Sequence, residues 1–147
     1  MVAIERVSEL PPEVAEVLAR EADRAGLGFV RRLLEEWASG RNRFDRPGEA
    51  FFVARIKGEL VGVCGLNVDP YAAAPSVGRV RHLYVLSASR QRGVGARLVD
   101  EVVAAARGAF DTLRLRTENS TAARLYERMG FRRGVGIADC THIMDVS

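Results

Sequence analysis

Residues 87–102 read SASRQRGVGARLVDEV. Upstream lies the apolar run VRHLYVLS, of strand length. Downstream, Val94, Leu98, Val102, Val103 and Ala106 recur at helical spacing, and Gly108 closes the run. The stretch is a strand–loop–helix junction with an unusual loop. A helix dipole favours negative side chains in the first turn, and glycine weakens that turn. Here Arg90, Arg92, Gly93, Gly95 and Arg97 crowd it instead. An anion from outside the chain resolves the conflict. Free backbone N–H groups and the positive dipole end would face it. Gly93 and Gly95 would admit close backbone approach, and Arg90 and Arg92 would add charge-assisted hydrogen bonds. The dipole contributes ~0.3–1 kcal/mol when exposed and ~2 kcal/mol when partly buried. Two phosphate motifs do not fit. Gly95 is followed by Ala96-Arg97 rather than Lys-Ser/Thr, and Leu98 stands where a dinucleotide fingerprint needs its third glycine.

Outward from this junction the pattern stays regular. VAIERV (2–7) reads as an opening strand. SELPPEVAEVLARE reads as a helix, with Pro11 and Pro12 in its first turn, a stripe of Val14, Leu18, Ala22 and Ala25, and Gly26 as its stop. A second helix covers Leu27 to Ser39, with Val30, Leu33, Leu34 and Trp37 inward and Gly40 at its end. FFVARI and LVGVCGLNV form a hairpin turning at Lys57-Gly58, and 69–78 is a longer loop. TLRLRT (112–117) alternates as a strand with Leu113 and Leu115 on one face. Asn119 or Ser120 caps a helix with Ala122, Leu125, Tyr126 and Met129 inward and Gly130 past its end. The tail offers one or two short strands. Strand–helix–strand units make the sheet locally parallel and the hairpin makes it antiparallel, so a mixed α/β sheet is expected.

The chain has 147 residues, enough for a single domain over 1–147 with its own core. Its apolar runs are strand-sized, and its first ten residues carry Glu5, Arg6 and Glu9, so neither a membrane span nor a signal peptide is expected, and a cytoplasmic location is. Cys64 and Cys140 give neither a disulfide framework nor a paired metal spacing. Net charge is +3, almost all of it from arginine, since Lys57 is the only lysine. Such an excess suits a polyanionic cofactor. The arginines lack the interleaved aromatics of a nucleic-acid surface, so no nucleic acid is expected.

Two motifs in order resemble the GNAT superfamily of acetyl-CoA-dependent N-acyltransferases. Arg90-Gln-Arg-Gly93-Val-Gly95 is similar to its pyrophosphate signature, and HLYVLS to the strand before it. Further on, Asn119, Ala122, Tyr126, Gly130 and Phe131 are similar to its second motif. The resemblance implies a mixed, mostly antiparallel sheet with a parallel splayed pair, flanked by four helices. It also implies acetyl-CoA as cosubstrate, no metal, and a homodimer as a common state. The backbone around Tyr84 and Val85 would face pantetheine, with the Val85 N–H near the thioester carbonyl. Amides from Gln91 through Arg92, Gly93, Val94 and Gly95 to Ala96 would cradle the pyrophosphate. Asn119 and Ala122 would line the pantetheine arm, and Tyr126 would stand near the sulfur as general acid.

The implied reaction is direct attack of an amine on the thioester. A lysine-like amine, pKa ~10.4, costs about 4–5 kcal/mol to deprotonate at pH 7, and a general base supplies roughly 10²–10⁴. Many family members carry a glutamate where Arg79 stands. Glu49, His82, Glu118 and His142 are the alternatives. Tyrosine at ~10 protonating a thiolate near ~8.5 is uphill by about 2 kcal/mol, so Tyr126 orients the sulfur as well as donating to it. His82 reads as a strand histidine and His142 as a surface one. Cys140 and His142, two apart, would share a strand face, but no oxyanion feature accompanies them. Arg41, Arg43, Arg46, Arg79 and Arg81 lie near the expected acceptor pocket. They disfavour polycationic acceptors and favour a small-molecule amine bearing a carboxylate or phosphate, or a peptide N-terminus. The rival reading is a non-catalytic acyl-CoA-binding module.

Overall fold

A computed structural model describes residues 1–147. The strands are β1 (Val2–Arg6), β2 (Ala50–Ile56), β3 (Glu59–Val68), β4 (Val77–Val85), β5 (Thr112–Leu115), β6 (Arg132–Arg133) and β7 (His142–Asp145). They form one seven-stranded sheet in the order β1-β2-β3-β4-β5-β7-β6. The neighbours run antiparallel except β4 and β5. That parallel pair is forced by the helical crossover between them. It bonds only from Val77 to Arg79, opposite Thr112 to Arg114. Beyond Arg79 the two strands splay.

The helices are a π-helical segment (Val14–Ala19) running into α1 (Arg20–Arg24), then α2 (Phe29–Ser39), a single 3-10 turn (Ser87–Ser89), α3 (Val94–Ala106) and α4 (Ser120–Arg128). Strand alternation sends Phe51 to one face of the sheet and Phe52 to the other. On one side Leu98, Val99 and Val102 of α3 and Tyr126 of α4 close over Phe52, Cys64, Leu66, Leu113 and Leu115. On the other, Val14, Leu18, Val30 and Leu33 close over Phe51, Val53, Val63 and Tyr84. The π segment packs over β3, and α2 over β4. Beyond them the same face of β5, β7 and β6 carries Arg114, Ile143 and Arg132 in register, with no matching apolar stripe.

The register of β3 and β4 slips at one bulge. Tyr84 opposes Val63 and Arg81 opposes Gly65, so His82 and Leu83 together face Cys64. His82 absorbs the extra residue at φ 62. A Cβ on Gly65 would overlap the Phe44 ring, so glycine lets that ring lie against the strand.

The mixed sheet, the four helical regions and the Lys57-Gly58 turn agree with the sequence reading. Several boundaries differ for local reasons. The first helix is wound π over Val14–Ala19, which buries Ala19 and leaves Ala25 exposed at its cap. Gly26, at φ 75, stops it, and the Leu27 N–H closes the end on the Ala22 carbonyl at 2.8 Å. Leu27 is thereby unavailable to α2, which begins at Phe29. Arg107, not Gly108, caps α3. The last strand-like step after Leu115 is lost because the Thr117 N–H turns to the Thr141 hydroxyl at 3.0 Å. No helix is long and apolar enough to cross a membrane.

Candidate active site

The mouth of α3 is open. Gly93, at φ 79, is its N-cap, and no side chain caps it. Its first turn holds no acidic residue. The Arg97 backbone N–H donates to the Gly93 carbonyl at 3.0 Å, whereas the N–H groups of Gln91 to Ala96 reach no backbone or side-chain acceptor. The two glycines act differently. Gly93 supplies the left-handed turn, with nothing near its absent Cβ. A Cβ on Gly95 would sit 3.3 Å from Leu125 Cδ2 and 3.9 Å from Val85 Cγ2, so this glycine lets α3, α4 and β4 converge.

The arginines divide in the same way. Arg90 Nε donates to the Val85 carbonyl at 2.8 Å, and its guanidinium lies 5.4 Å from the Tyr84 ring centroid. It braces the end of β4 rather than extending into the loop. Arg97 Nη1 donates to the Val2 carbonyl at 3.3 Å. Arg92 is exposed beside the open amides.

Glu21 had no sequence signal and organises this end of β4. It accepts from the Tyr84 hydroxyl at 2.6 Å, the Ser87 hydroxyl at 2.7 Å and the Ser87 N–H at 3.1 Å. Burial opposes its charge, but the hydrogen bonds from Ser87 and Tyr84 prevail and lower its pKa. Burial, and then the bond to Glu21, push the Tyr84 hydroxyl up to about 12. The Tyr84 side chain is therefore a fixed strut. Leu86 donates to Val61 of β3 at 2.8 Å, so the adjacent Val85 turns its N–H away from β3, toward the splay.

Across the splay stands α4, and the second motif is largely the description of that helix's two ends. The Asn119 side chain accepts from the Ala122 N–H at 3.0 Å, an N-cap. Gly130, at φ 105, and Phe131 close the other end, with the Phe131 N–H on the Tyr126 carbonyl at 3.0 Å. The Tyr126 ring meets Phe131 edge-on at 5.5 Å. Tyr126 is 5% exposed, and its hydroxyl bonds to no protein group. Burial, and then the nearby Cys64, push its pKa well above that of ordinary tyrosine.

The four alternative bases are placed elsewhere or engaged. Glu49 accepts from the Val68 N–H at 2.9 Å, Asn67 at 3.0 Å and the Arg46 N–H at 3.1 Å, a structural carboxylate holding the loop before β2. Glu118 is exposed and pairs with Arg116 at 3.1 Å. His142 is 1% exposed, which corrects its reading as a surface residue. Alternation on β7 turns it inward with Met144, where Nε2 meets Glu127 at 2.8 Å and Nδ1 meets the Thr141 hydroxyl at 2.9 Å. Cys140 lies before β7, and its thiol bonds to the His142 carbonyl at 3.3 Å rather than to the imidazole. That removes a Cys–His pair. His82 stacks on Phe29 at 6.2 Å under α2. Burial, then Arg81 and Arg32, hold its pKa down to about 3, and its buried Nε2 has no partner.

Of the arginines expected near the acceptor, Arg43 folds back onto the Trp37 carbonyl at 2.9 Å, closing α2. Arg79 and Arg81 do lie on the face of β4 that α2 shares. Arg79 meets Asp69 at 3.5 Å beneath Tyr71, whose ring centroid is 4.7 Å away, and Arg81 meets Glu36 at 3.9 Å. Arg114, unremarked in the sequence, stands directly opposite Arg79. The alternation of TLRLRT was its only signal.

A family model described as an acetyltransferase (GNAT) domain matches residues 47–133, which include the α3 mouth, α4 and β4. The chain is 36% identical over 87 residues to the N-alpha-acetyltransferase RimI of Mycobacterium tuberculosis, a match covering 59% of this chain and 54% of that protein. It thus spans about half the length of that relative. Among solved structures, a candidate acetyltransferase from Exiguobacterium sp. superposes with a TM-score of 0.86 at 29% identity, covering 99% of this chain and 93% of that one. A GNAT-family acetyltransferase of Staphylococcus aureus, at 15% identity and a TM-score of 0.69 over 99% of this chain and 100% of its own, shares the fold.

Proposed function

The chain belongs to the GNAT acetyltransferase family, and on that footing we propose that it moves an acetyl group from acetyl-CoA to an amine by direct attack. The observation that carries this is the acid-free, uncapped mouth of α3, whose amides from Gln91 to Ala96 suit a diphosphate. Acetyl-CoA supplies the activated acyl carbonyl. The Val85 N–H, which faces away from β3, would polarise that carbonyl, and Asn119 and Ala122 would line the pantetheine arm. Tyr126, protonated at every working pH, serves as a hydrogen-bond donor to departing sulfur. Complete proton transfer from it is steeper than from an ordinary tyrosine, so water finishes the transfer.

The arginines bear on the acceptor. Arg79, Arg81 and Arg114 repel a second cation and lower the pKa of a nearby ammonium. An α-amino group, at ~7.7–8.0, is already about one-tenth neutral at pH 7, whereas a lysine-like amine is not. Both effects favour an amine bearing a carboxylate or phosphate, or a peptide N-terminus, and reduce the need for a dedicated base. The engagement of Glu49, Glu118 and His142 elsewhere favours a second reading, a non-catalytic acyl-CoA-binding module. The test is release of CoA thiol from acetyl-CoA across an amine panel, with acetylated product identified by mass. Transfer to α-amines supports the enzyme. Tight CoA binding with no transfer to any amine supports the module, and a panel in which only polyamines react contradicts the acceptor assignment.

A further inference from the structure

Register places five residues in one line across the sheet. Asn67 opposes Arg79, Arg79 opposes Arg114, Arg114 opposes Ile143, and Ile143 opposes Arg132. Directly opposed residues share a face. The face is settled by their neighbours: a Cβ on Gly78 would strike Phe110, and Leu113 and Leu115 are buried in the α3 core. Arg79 and Arg114 therefore point the other way, at the last bonded rung before β4 and β5 splay.

Two arginines directly opposite on adjacent strands repel each other. Two of the three on these strands have acids, as does Arg116 just past β5. Arg79 has Asp69, Arg81 has Glu36 with Asn67 Oδ1 at 3.4 Å, and Arg116 has Glu118 and Asp139 at 3.1 and 3.5 Å. Arg114 pairs with no carboxylate, and its Nε is buried without an acceptor. A buried donor left unmade is costly, and the guanidinium fork matches a carboxylate edge to edge.

We propose that Arg114, flanked by Arg79 and Arg81, seats the carboxylate of the acceptor amine. This rests on the acetyl-transfer reading and names its substrate class. The neighbouring charges choose the anion. Asp69 and Glu36 offset two of the three charges on Arg79, Arg81 and Arg114, Glu36 by proximity alone since its buried Oε1 makes no hydrogen bond, so one positive charge is left over, which a monoanionic carboxylate balances. A phosphate monoester, at −1.5 to −2, overshoots it.

The test compares kcat/KM, with acetyl-CoA saturating, for the standard α-amino acids, their α-amides, and O-phosphoethanolamine. The acids are expected to exceed their amides by roughly tenfold to a hundredfold. Arg114→Gln is expected to bring acid and amide level by lowering the acid's value, and Arg114→Lys to keep part of the preference. Melting temperature and CoA affinity of each variant report that it folds. Equal rates for acids and amides overturn the seat while leaving acetyl transfer intact, and a preference for the phosphate overturns the choice of carboxylate. If no amine reacts, calorimetry on the CoA complex reads the seat directly. Binding of N-acetylglycine but not N-acetylglycinamide, lost in R114Q, sustains it. Binding of neither overturns it together with the transfer reading.

Discussion

The two halves of the sheet are finished differently. From β2 to β4 both faces are covered, and most polar groups there are held by the fold, the buried His82 Nε2 excepted. Glu49 holds a loop, and Glu21 ties Tyr84 and Ser87 to α1. From β5 to β6 only the α3–α4 face is covered, and the other face carries arginines with a charge left over. The first half is closed by packing, and the second is where the proposed acceptor would sit. The α3 mouth and the splay lie at their seam.

The contrast makes graded predictions. The largest is Phe51→Ala in the doubly covered half, expected to cost about 3–5 kcal/mol of unfolding free energy in urea titration, against within about 0.5 kcal/mol for Arg132→Ala on the open face. Similar costs would erase the distinction. Next comes His82, sealed under α2. The unfolded chain protonates it near 6.5, but the folded chain does not until about 3. The unfolded state binds more protons in that window, so stability is full above 6.5 and falls as pH drops toward 3. The slope from this group is at most about 1.4 kcal/mol per pH unit. His82→Asn, which tolerates the left-handed backbone, is expected to flatten the melting-temperature profile between these limits. An unchanged profile would mean that the imidazole is not buried neutral.

At the seam, Tyr126→Phe is expected to lower kcat several-fold, about 1 kcal/mol of transition-state stabilisation, with CoA affinity unchanged by calorimetry. Unaltered turnover would make Tyr126 a core residue only. The smallest effect is on the open face. Arg114→Gln removes a like-charge opposition and is expected to stabilise the unliganded protein by about 0.2–1 kcal/mol. A loss of stability would show that Arg114 is already compensated.

The same seam divides what is legible in the sequence from what is not. Periodicity and glycine placement located the helices, the hairpin and the α3 mouth, because Gly93, Gly26 and Gly130 each mark a left-handed turn that few other residues adopt. The second motif was legible for a partly different reason than function, since Asn119 and Gly130-Phe131 are the caps of α4. Tertiary partners were not legible. Glu21 reaches Ser87 over 66 residues, and nothing local marks it. His142 looked like a tail residue until β7 paired with β5 and turned it inward. Arg114 became meaningful only once register set it against Arg79. The partners of Arg90, the Val85 carbonyl and the Tyr84 ring, are set by the end of β4 and carry no local signal.

In the proposed reading, bare amides at the start of α3 grip the diphosphate of CoA. Amide chemical shifts of the whole protein, followed as CoA is titrated in, test it most directly. Gln91, Arg92, Gly93, Val94, Gly95 and Ala96 are expected to move most, with Gly93→Ala weakening the response. Saturable shifts centred elsewhere, with these amides still, would contradict it.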